Sequence, residues 1–353
     1  MKIYIRSTAA ISPQETFGQV SYLANPVTYN GNFLKAIEPA YQDILDPKLT
    51  RRMSRIIRMG VAAAIMCLRE SGITNPGAIV TGTAYGCIED TRIFLSSLIQ
   101  QDEQMLSPTA FIQSTHNTVA AQIALMLKCN EYNNTFVHRG FSFESALLDG
   151  MMLLEEGETS NVLVGGLDEI TDVSFAILNR FGLYKNEPVS NLALFQSNSA
   201  GTIGGEGAAF FLLSSEPFGS GYAELEGLTT FYKPASETDI AKNIMEFISA
   251  RSLSMEDIDL VITGRNGDKN NDEVYDCLQK DIFSNTAAIN YKHLCGEYPT
   301  AVSFAMWFAA KILHTGQLPP AAGYSVDKQI KRILIYNNYF GIHHSLILLS
   351  AIK

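Results

Sequence analysis

The chain has 353 residues, 26 Lys and Arg against 36 Asp and Glu, a net charge of −10 and 46% apolar residues. With 18% charged residues it is not a disordered chain, and its length suits two or three domains or one large duplicated unit. A general nucleic-acid binder would need a cationic footprint that so acidic a chain lacks.

The five cysteines (Cys67, Cys87, Cys129, Cys277 and Cys295) follow neither metal-ligand nor disulfide-framework spacing, so no metal is expected and a reducing compartment is. The first residues, MKIYIRSTAAISP, carry two early cations but no apolar run of signal-peptide length. Nowhere do ~18 uninterrupted apolar residues occur, so the expectation is a cytoplasmic protein without a membrane span.

In chain order, residues 50–72 predict one long helix, with Met53, Ile56, Ile57, Gly60, Ala64 and Leu68 on its apolar face and Arg51, Arg52, Arg55 and Arg58 near its start. Residues 78–86 (AIVTGTAYG) read as a buried strand ending in a glycine loop. Residues 134–157 give a short strand, a polar turn and a helix carrying Leu147, Leu148, Met151, Met152 and Leu154. A strand over 161–164 follows and ends in Gly165-Gly166. The Ser-, Asn- and Gly-rich stretch 186–207 is a loop that either orders over a site or merely connects. Residues 206–215 (EGAAFFLLSS) form a closing strand.

The pattern then recurs. LVITGRNG (260–267) matches the TG loop, residues 286–316 repeat strand, turn and apolar helix up to Gly316, and HSLILLSAI (344–352) closes again. Although α/β proteins repeat such units without duplication, three pairs in one order point to a duplicated α/β fold. Its halves are 1–216 and 217–353, with the break near EPFGSG (216–221).

These landmarks resemble the β-ketoacyl-acyl-carrier-protein synthases. The carriers of the resemblance are RRMSRIIRMGVAAA, TGTAYGCIED, LSPTAFIQSTHNTVAAQIAL, GEGAAFFLLSS, KHLCGEYPTAVSFAMWFAAKIL and NNYFGIHHSLILL, in that order and nearly end to end. More narrowly, the chain is similar to the divergent ketosynthase-like proteins of aryl-polyene and flexirubin-type clusters, chain-length factors included. The resemblance implies a thiolase-like α-β-α-β-α sandwich, a homodimer or heterodimer, and no cofactor.

In that family an acyl chain is loaded on a Cys at a helix N-terminus, where the dipole favours the thiolate. Two histidines and a lysine then serve decarboxylation and the developing enolate. By the same resemblance the cysteine position falls on Gly140, the first histidine on Gly264 in TGRNGDKNNDE and the second on Glu297 in KHLCGE. Only Lys292 matches. Surrogates to inspect are Glu297, Ser142, Cys295 with His293, His138, and His343 beside His344, although a small buried hydrophobe is the ordinary role for Cys295 and Cys87. A decarboxylase-only role would still need the absent histidines.

The family docks acidic acyl carrier protein on cations at the start of the long helix. Arg51 and Arg52 fit that position best, with Arg55 and Arg58 beside them; a solvated face is the plain alternative. Three functions remain open: a non-catalytic partner of an active ketosynthase that shapes chain length, an atypical condensing enzyme or acyltransferase using surrogates, and a stand-alone binder of acyl thioester or carrier protein. In the first, residues 135–139 lie at the subunit seam, and Phe111, Phe141 and Phe143 are candidates for a tunnel stop.

Overall fold

The stretches before and after residues 216–221 share the order strand, helix, strand, helix, strand, helix, strand, strand, with further elements inserted. The first comprises β1 (Ile3–Ile11), β2 (Asn30–Gly31), α1 (Pro47–Thr50), α2 (Arg55–Ser71), β3 (Ala78–Gly82), α3 (Ile88–Gln100), α4 (Pro108–Gln113), α5 (Thr118–Leu127), β4 (Tyr132–Phe136), α6 (Ser142–Glu155), β5 (Asn161–Asp168), α7 (Asp172–Arg180), β6 (Val189–Ser190) and β7 (Gly207–Ser214). The second comprises β8 (Ala223–Tyr232), α8 (Glu237–Ser249), β9 (Leu260–Thr263), α9 (Lys269–Lys280), β10 (Ala287–Asn290), α10 (Lys292–Cys295), α11 (Val302–Thr315), β11 (Arg332–Tyr339) and β12 (His343–Ser350). This computed structural model describes residues 1–18, 23–217, 219, 221–324 and 329–352. Of the expected break at 216–221, residues 218 and 220 lie outside the described residues.

Ten strands share one mixed sheet in the order β10-β9-β11-β12-β8-β1-β7-β5-β3-β4. Read outward from the β1–β8 pair, the two sides are the same. In each, two antiparallel neighbours precede two parallel ones, and the outermost strand runs through a tight turn into a helix. The duplication read from the sequence is therefore present in the topology.

Period-two alternation sorts side chains between layers because both sheet faces are covered. Val162, Val164, Phe211 and Leu213 face a central core with α11, while Leu163, Leu167, Phe210 and Leu212 face the core under α2. On the other side Ile333, Ile335, Ile347 and Leu349 join the same central core. Leu334, Tyr336, Leu346 and Leu348 pack outward on Ile240, Ile244 and Val274 of α8 and α9. The result is a thiolase-like α-β-α-β-α sandwich, with α11 packed against strands of both halves.

Two local expectations need correction and an open one is resolved. The long helix over 50–72 is broken: α1 ends at Thr50, and α2 begins at Arg55 after Ser54, whose extended backbone (φ −66°, ψ 173°) interrupts the helix. Arg51 and Arg52 thus lie in a turn. The strand expected over 161–164 continues through the glycine pair to Asp168, and a Cβ on Gly166 would sit 2.7 Å from Phe143 and 2.8 Å from Ser303, so glycine is needed for close approach. Of the two alternatives left open for 186–207, the stretch is ordered. Asn191 accepts from the Tyr29 N–H and donates to the carbonyls of Val27 and His293, pinning this segment over α10.

Candidate functional site

The β4–α6 turn is sharp, and Arg139 holds the left-handed conformation (φ +51°) just before buried Gly140. Ser142 Oγ accepts from the His138 N–H at 2.9 Å and donates to the Arg139 carbonyl at 2.8 Å, so this hydroxyl closes the turn and is fully buried. Tyr339 at the end of β11 lies directly on Gly140. A Cβ there would stand 2.8 Å from the ring's Cδ1 and 2.9 Å from the Tyr339 Cβ. Residues 138–142 contain no cysteine, so shifting the register by a residue or two supplies no thiol.

The equivalent turn of the second half is α10 and the residues after it. Lys292 donates to Glu297 Oε2 at 2.7 Å and to the Asn338 carbonyl at 3.3 Å, and Asn266 Nδ2 donates to the same carboxylate oxygen at 2.8 Å. Both ionic side chains are sealed from solvent. Burial raises the Glu297 carboxyl above its ordinary range, and the adjacent ammonium opposes that rise. At the third position a Cβ on Gly264 would collide with Asn337 Oδ1, which accepts from the Tyr291 hydroxyl at 2.8 Å. An amide thus occupies the space the resemblance assigns to the first histidine.

Between these turns Tyr85, Tyr184, Glu297, Tyr339 and Phe340 leave a cavity of about 20 Å3. That is room for one water and not for an acyl chain. Glu297 Oε1 has no partner among the described residues. Asp168 binds the two halves together here. One oxygen accepts from the Thr83 hydroxyl and the Ala84 and Tyr85 N–H groups, the other from the Thr300 hydroxyl and N–H; burial lifts its pKa to about 6.

Of the surrogates only Glu297 lines this cavity among the described residues. His138 is exposed, with Nδ1 3.3 Å from Ser145 Oγ. His343 is buried edge-on against Phe141 at 4.7 Å, and neither histidine lines the cavity. Cys295 Sγ donates to the Gly296 carbonyl at 3.3 Å, and burial pushes its thiol well above the ordinary value. His293 does not pair with it. Its Nε2 meets the Ala321 carbonyl at 3.1 Å, and burial lowers its pKa to about 4. Cys87 is likewise buried with its thiol pushed up.

The arginine cluster separates into different roles. Arg55 is half-buried, bonded through Nε to Glu38 and through both terminal nitrogens to Glu206, each at 2.6 Å, so it is not a free docking cation. Glu206 also accepts from the Ala36 and Ile170 N–H groups. Arg58 is half-buried, 5.5 Å from the centre of the Tyr41 ring. Arg51 and Arg52 are exposed, as the docking reading requires, and Arg52 lines a 490 Å3 groove with Lys48 and Lys128 above Met53, Ile112 and Leu125. No acid lines that groove among the described residues.

Of the seam candidates, Phe143 is fully buried and packs on Phe211 at 5.8 Å, so it belongs to the central core and cannot reach another subunit. Phe141 is buried beside the turn, whereas Phe111 is exposed on α4 next to Phe94. Sequence reasoning missed Tyr339, Asn266, Asn337 and Asp168.

The fold is thiolase-like. Residues 30–195 match the family model described as "Beta-ketoacyl synthase, N-terminal domain". No curated protein matches the chain. Among solved structures, the ishigamide ketosynthase/chain length factor is similar at 17% identity and a TM-score of 0.81, covering 100% of this chain and 99% of that one. A β-ketoacyl synthase from Burkholderia phymatum STM815 is similar at 14% identity and 0.79, covering 100% of both. The ketosynthase ApeO in complex with its chain length factor ApeC, from Xenorhabdus doucetiae, is similar at 17% and 0.74, covering 99% and 98%. At such identities the likeness is one of fold. No helix among the described residues is long and apolar enough to cross a membrane.

Proposed function

We propose that this chain is a non-catalytic β-ketoacyl synthase homologue of the cytoplasm, built of halves 1–216 and 217–353, that pairs with an active ketosynthase and helps set the length of its product. The observation that carries this reading is the Tyr339 ring on Gly140. The catalytic-type turn lacks a nucleophile and its space is filled, leaving a cavity of about 20 Å3. Condensation needs a thiolate and donors aimed at a developing enolate, and Gly140, Gly264 and Glu297 supply neither.

Pairing is supported by the free edge of β4, which bonds only to β3 and ends the sheet. Tyr132 and Val137 on that edge, and Leu148 and Met152 on the adjacent α6, are 44–48% exposed. Natural proteins seldom leave such an edge uncovered. Carrier-protein docking is supported by exposed Arg51 and Arg52 beside an apolar groove rimmed with cations.

The test is co-expression with an intact ketosynthase encoded beside this chain, followed by native mass measurement. A stable one-to-one pair, in which acyl donor labels only the ketosynthase, is expected. An acyl adduct on this chain, or failure of the two to associate, would overturn the proposal.

A further inference from the structure

The 490 Å3 groove between α1, the start of α2, α4 and α5 shares no lining residue with the closed cavity. Met53 and Ile57, both buried, lie at its floor, and its walls carry Ile112 and Leu125, which are 60% and 70% exposed. The Gln113 side chain donates to the Arg52 carbonyl, so α4 is tied to the turn before α2 and the groove is already formed in this chain.

Three cations line it, Lys48, Arg52 and Lys128. Exposed cations on a solvated face are ordinary, and Lys128, at the end of α5, also suits the helix dipole. That explanation does not reach the apolar trough they share. None of the three is in an ion pair among the described residues, although the chain as a whole carries a charge of −10.

Shape narrows the occupant. A bilayer is met by protruding apolar side chains, whereas Met53 and Ile57 are recessed. An α-helix is about 10 Å across and fills roughly this volume in a single turn, so a protein segment would seat too little of itself. Recessed apolar side chains with unpaired cations around them suit one small molecule that has a narrow apolar tail and an anionic head.

We propose that this groove binds a free single-chain amphiphile with an anionic head, of the medium-chain fatty carboxylate class. The tail lies on Met53, Ile57, Ile112 and Leu125, and the head faces Lys48, Arg52 and Lys128. Binding makes no covalent bond, and the inference rests neither on the partner-subunit reading nor on carrier docking.

Calorimetric titration of the full chain with octanoate, decanoate and decyltrimethylammonium, each kept below micelle formation, tests tail and head separately. Decanoate should bind saturably, about fivefold or more tighter than octanoate, because two further methylenes leave water. Decyltrimethylammonium, with the same tail and the opposite charge, should bind about tenfold or more weaker. Lys48→Gln with Lys128→Gln should weaken decanoate about threefold or more. Leu125→Asp puts a carboxylate in the trough and should abolish saturable decanoate binding; Ile112→Asp serves the same purpose should the first variant not fold. No saturable decanoate binding, affinities indifferent to tail length or head charge, or an unchanged affinity in the lysine or Leu125 variants would overturn the proposal. So would cosedimentation with phosphatidylglycerol vesicles in place of decanoate binding.

Discussion

The Tyr339 ring rests on the Cα of Gly140, so the residue in the nucleophile's place and the residue that fills its pocket determine one another. Restoring a thiol therefore takes more than one substitution. Gly140→Cys forces Tyr339 aside and should lower stability by about 1–3 kcal/mol, the usual cost of overpacking. Tyr339→Ala should relieve most of that cost when combined with it, giving a non-additive pair in thermal melts. Neither variant should gain condensing activity, because Gly264 and Glu297 still lack the imidazoles that serve decarboxylation.

Lys292 and Glu297 form a sealed ion pair, with Asn266 sharing the carboxylate. Lys292→Met removes one partner and leaves an uncompensated carboxylate, which should cost about 3–5 kcal/mol in denaturant unfolding. Adding Glu297→Gln should restore most of it, because the neutral amide can remain bonded to Asn266. If the single and double variants are equally destabilised, shape rather than charge holds this turn.

Glu144, in the first turn of α6, is fully buried beside the Ser345 hydroxyl, and burial raises its pKa to about 7, a rise that this contact and the Lys292 ammonium oppose. Its folded-state pKa lies above the unfolded value, so the folded chain holds the proton more tightly. The stability this contributes is present below pH ~4.5 and is lost as pH rises through about 7. Glu144→Gln should thus be nearly neutral at pH 5 and stabilising at pH 8, by on the order of 1–3 kcal/mol. Melting temperatures at the two pH values check the sign; equal effects would mean the carboxyl is ionised throughout.

Legibility in the sequence followed periodicity and failed at long range. The paired TG strands, the apolar helix ending at Gly316 and the closing strands were readable because alternation and glycine stops are local signals, and the mirrored halves of the sheet follow from them. The break at Ser54 was hidden because helical periodicity continues across it. Arg55 read as part of a basic face because its acids, Glu38 and Glu206, are distant in the chain, 17 and 151 residues away. The missing nucleophile was visible as a glycine, but the reason nothing larger fits there, Tyr339, lies nearly two hundred residues further along and has no local signature.

Arg51 and Arg52 should act in docking without contributing to stability. Reversing both to Glu should weaken acyl-carrier-protein binding, and binding by the unaltered chain should fall with added salt. Exposed charges carry little stability, so the melting temperature should stay unchanged. Arg55→Glu is the contrasting control: it breaks a half-buried network with Glu38 and Glu206 and should destabilise the fold outright. A double reversal that leaves carrier affinity unaltered would return Arg51 and Arg52 to an ordinary solvated turn.

The last prediction concerns what the exposed side of the sheet does. β4 ends the sheet and runs into the turn at His138 and Arg139, so a second subunit that adds a strand there also approaches the closed site from outside. Phe111 is 57% exposed on α4, against the Phe94 ring at 5.5 Å, which leaves it able to fill space in a partner. Phe141 and Phe143 are already consumed in packing within this chain. Phe111→Ala should therefore lengthen the products of a paired ketosynthase with little change in melting temperature. Phe143→Ala should instead cost about 3–5 kcal/mol as a core cavity and act on product length only through loss of folded protein. Product analysis by chromatography and mass measurement, normalised to assembled pair, separates the two. An unchanged length distribution in Phe111→Ala, with assembly intact, would remove Phe111 as the stop and leave the seam as a purely structural contact.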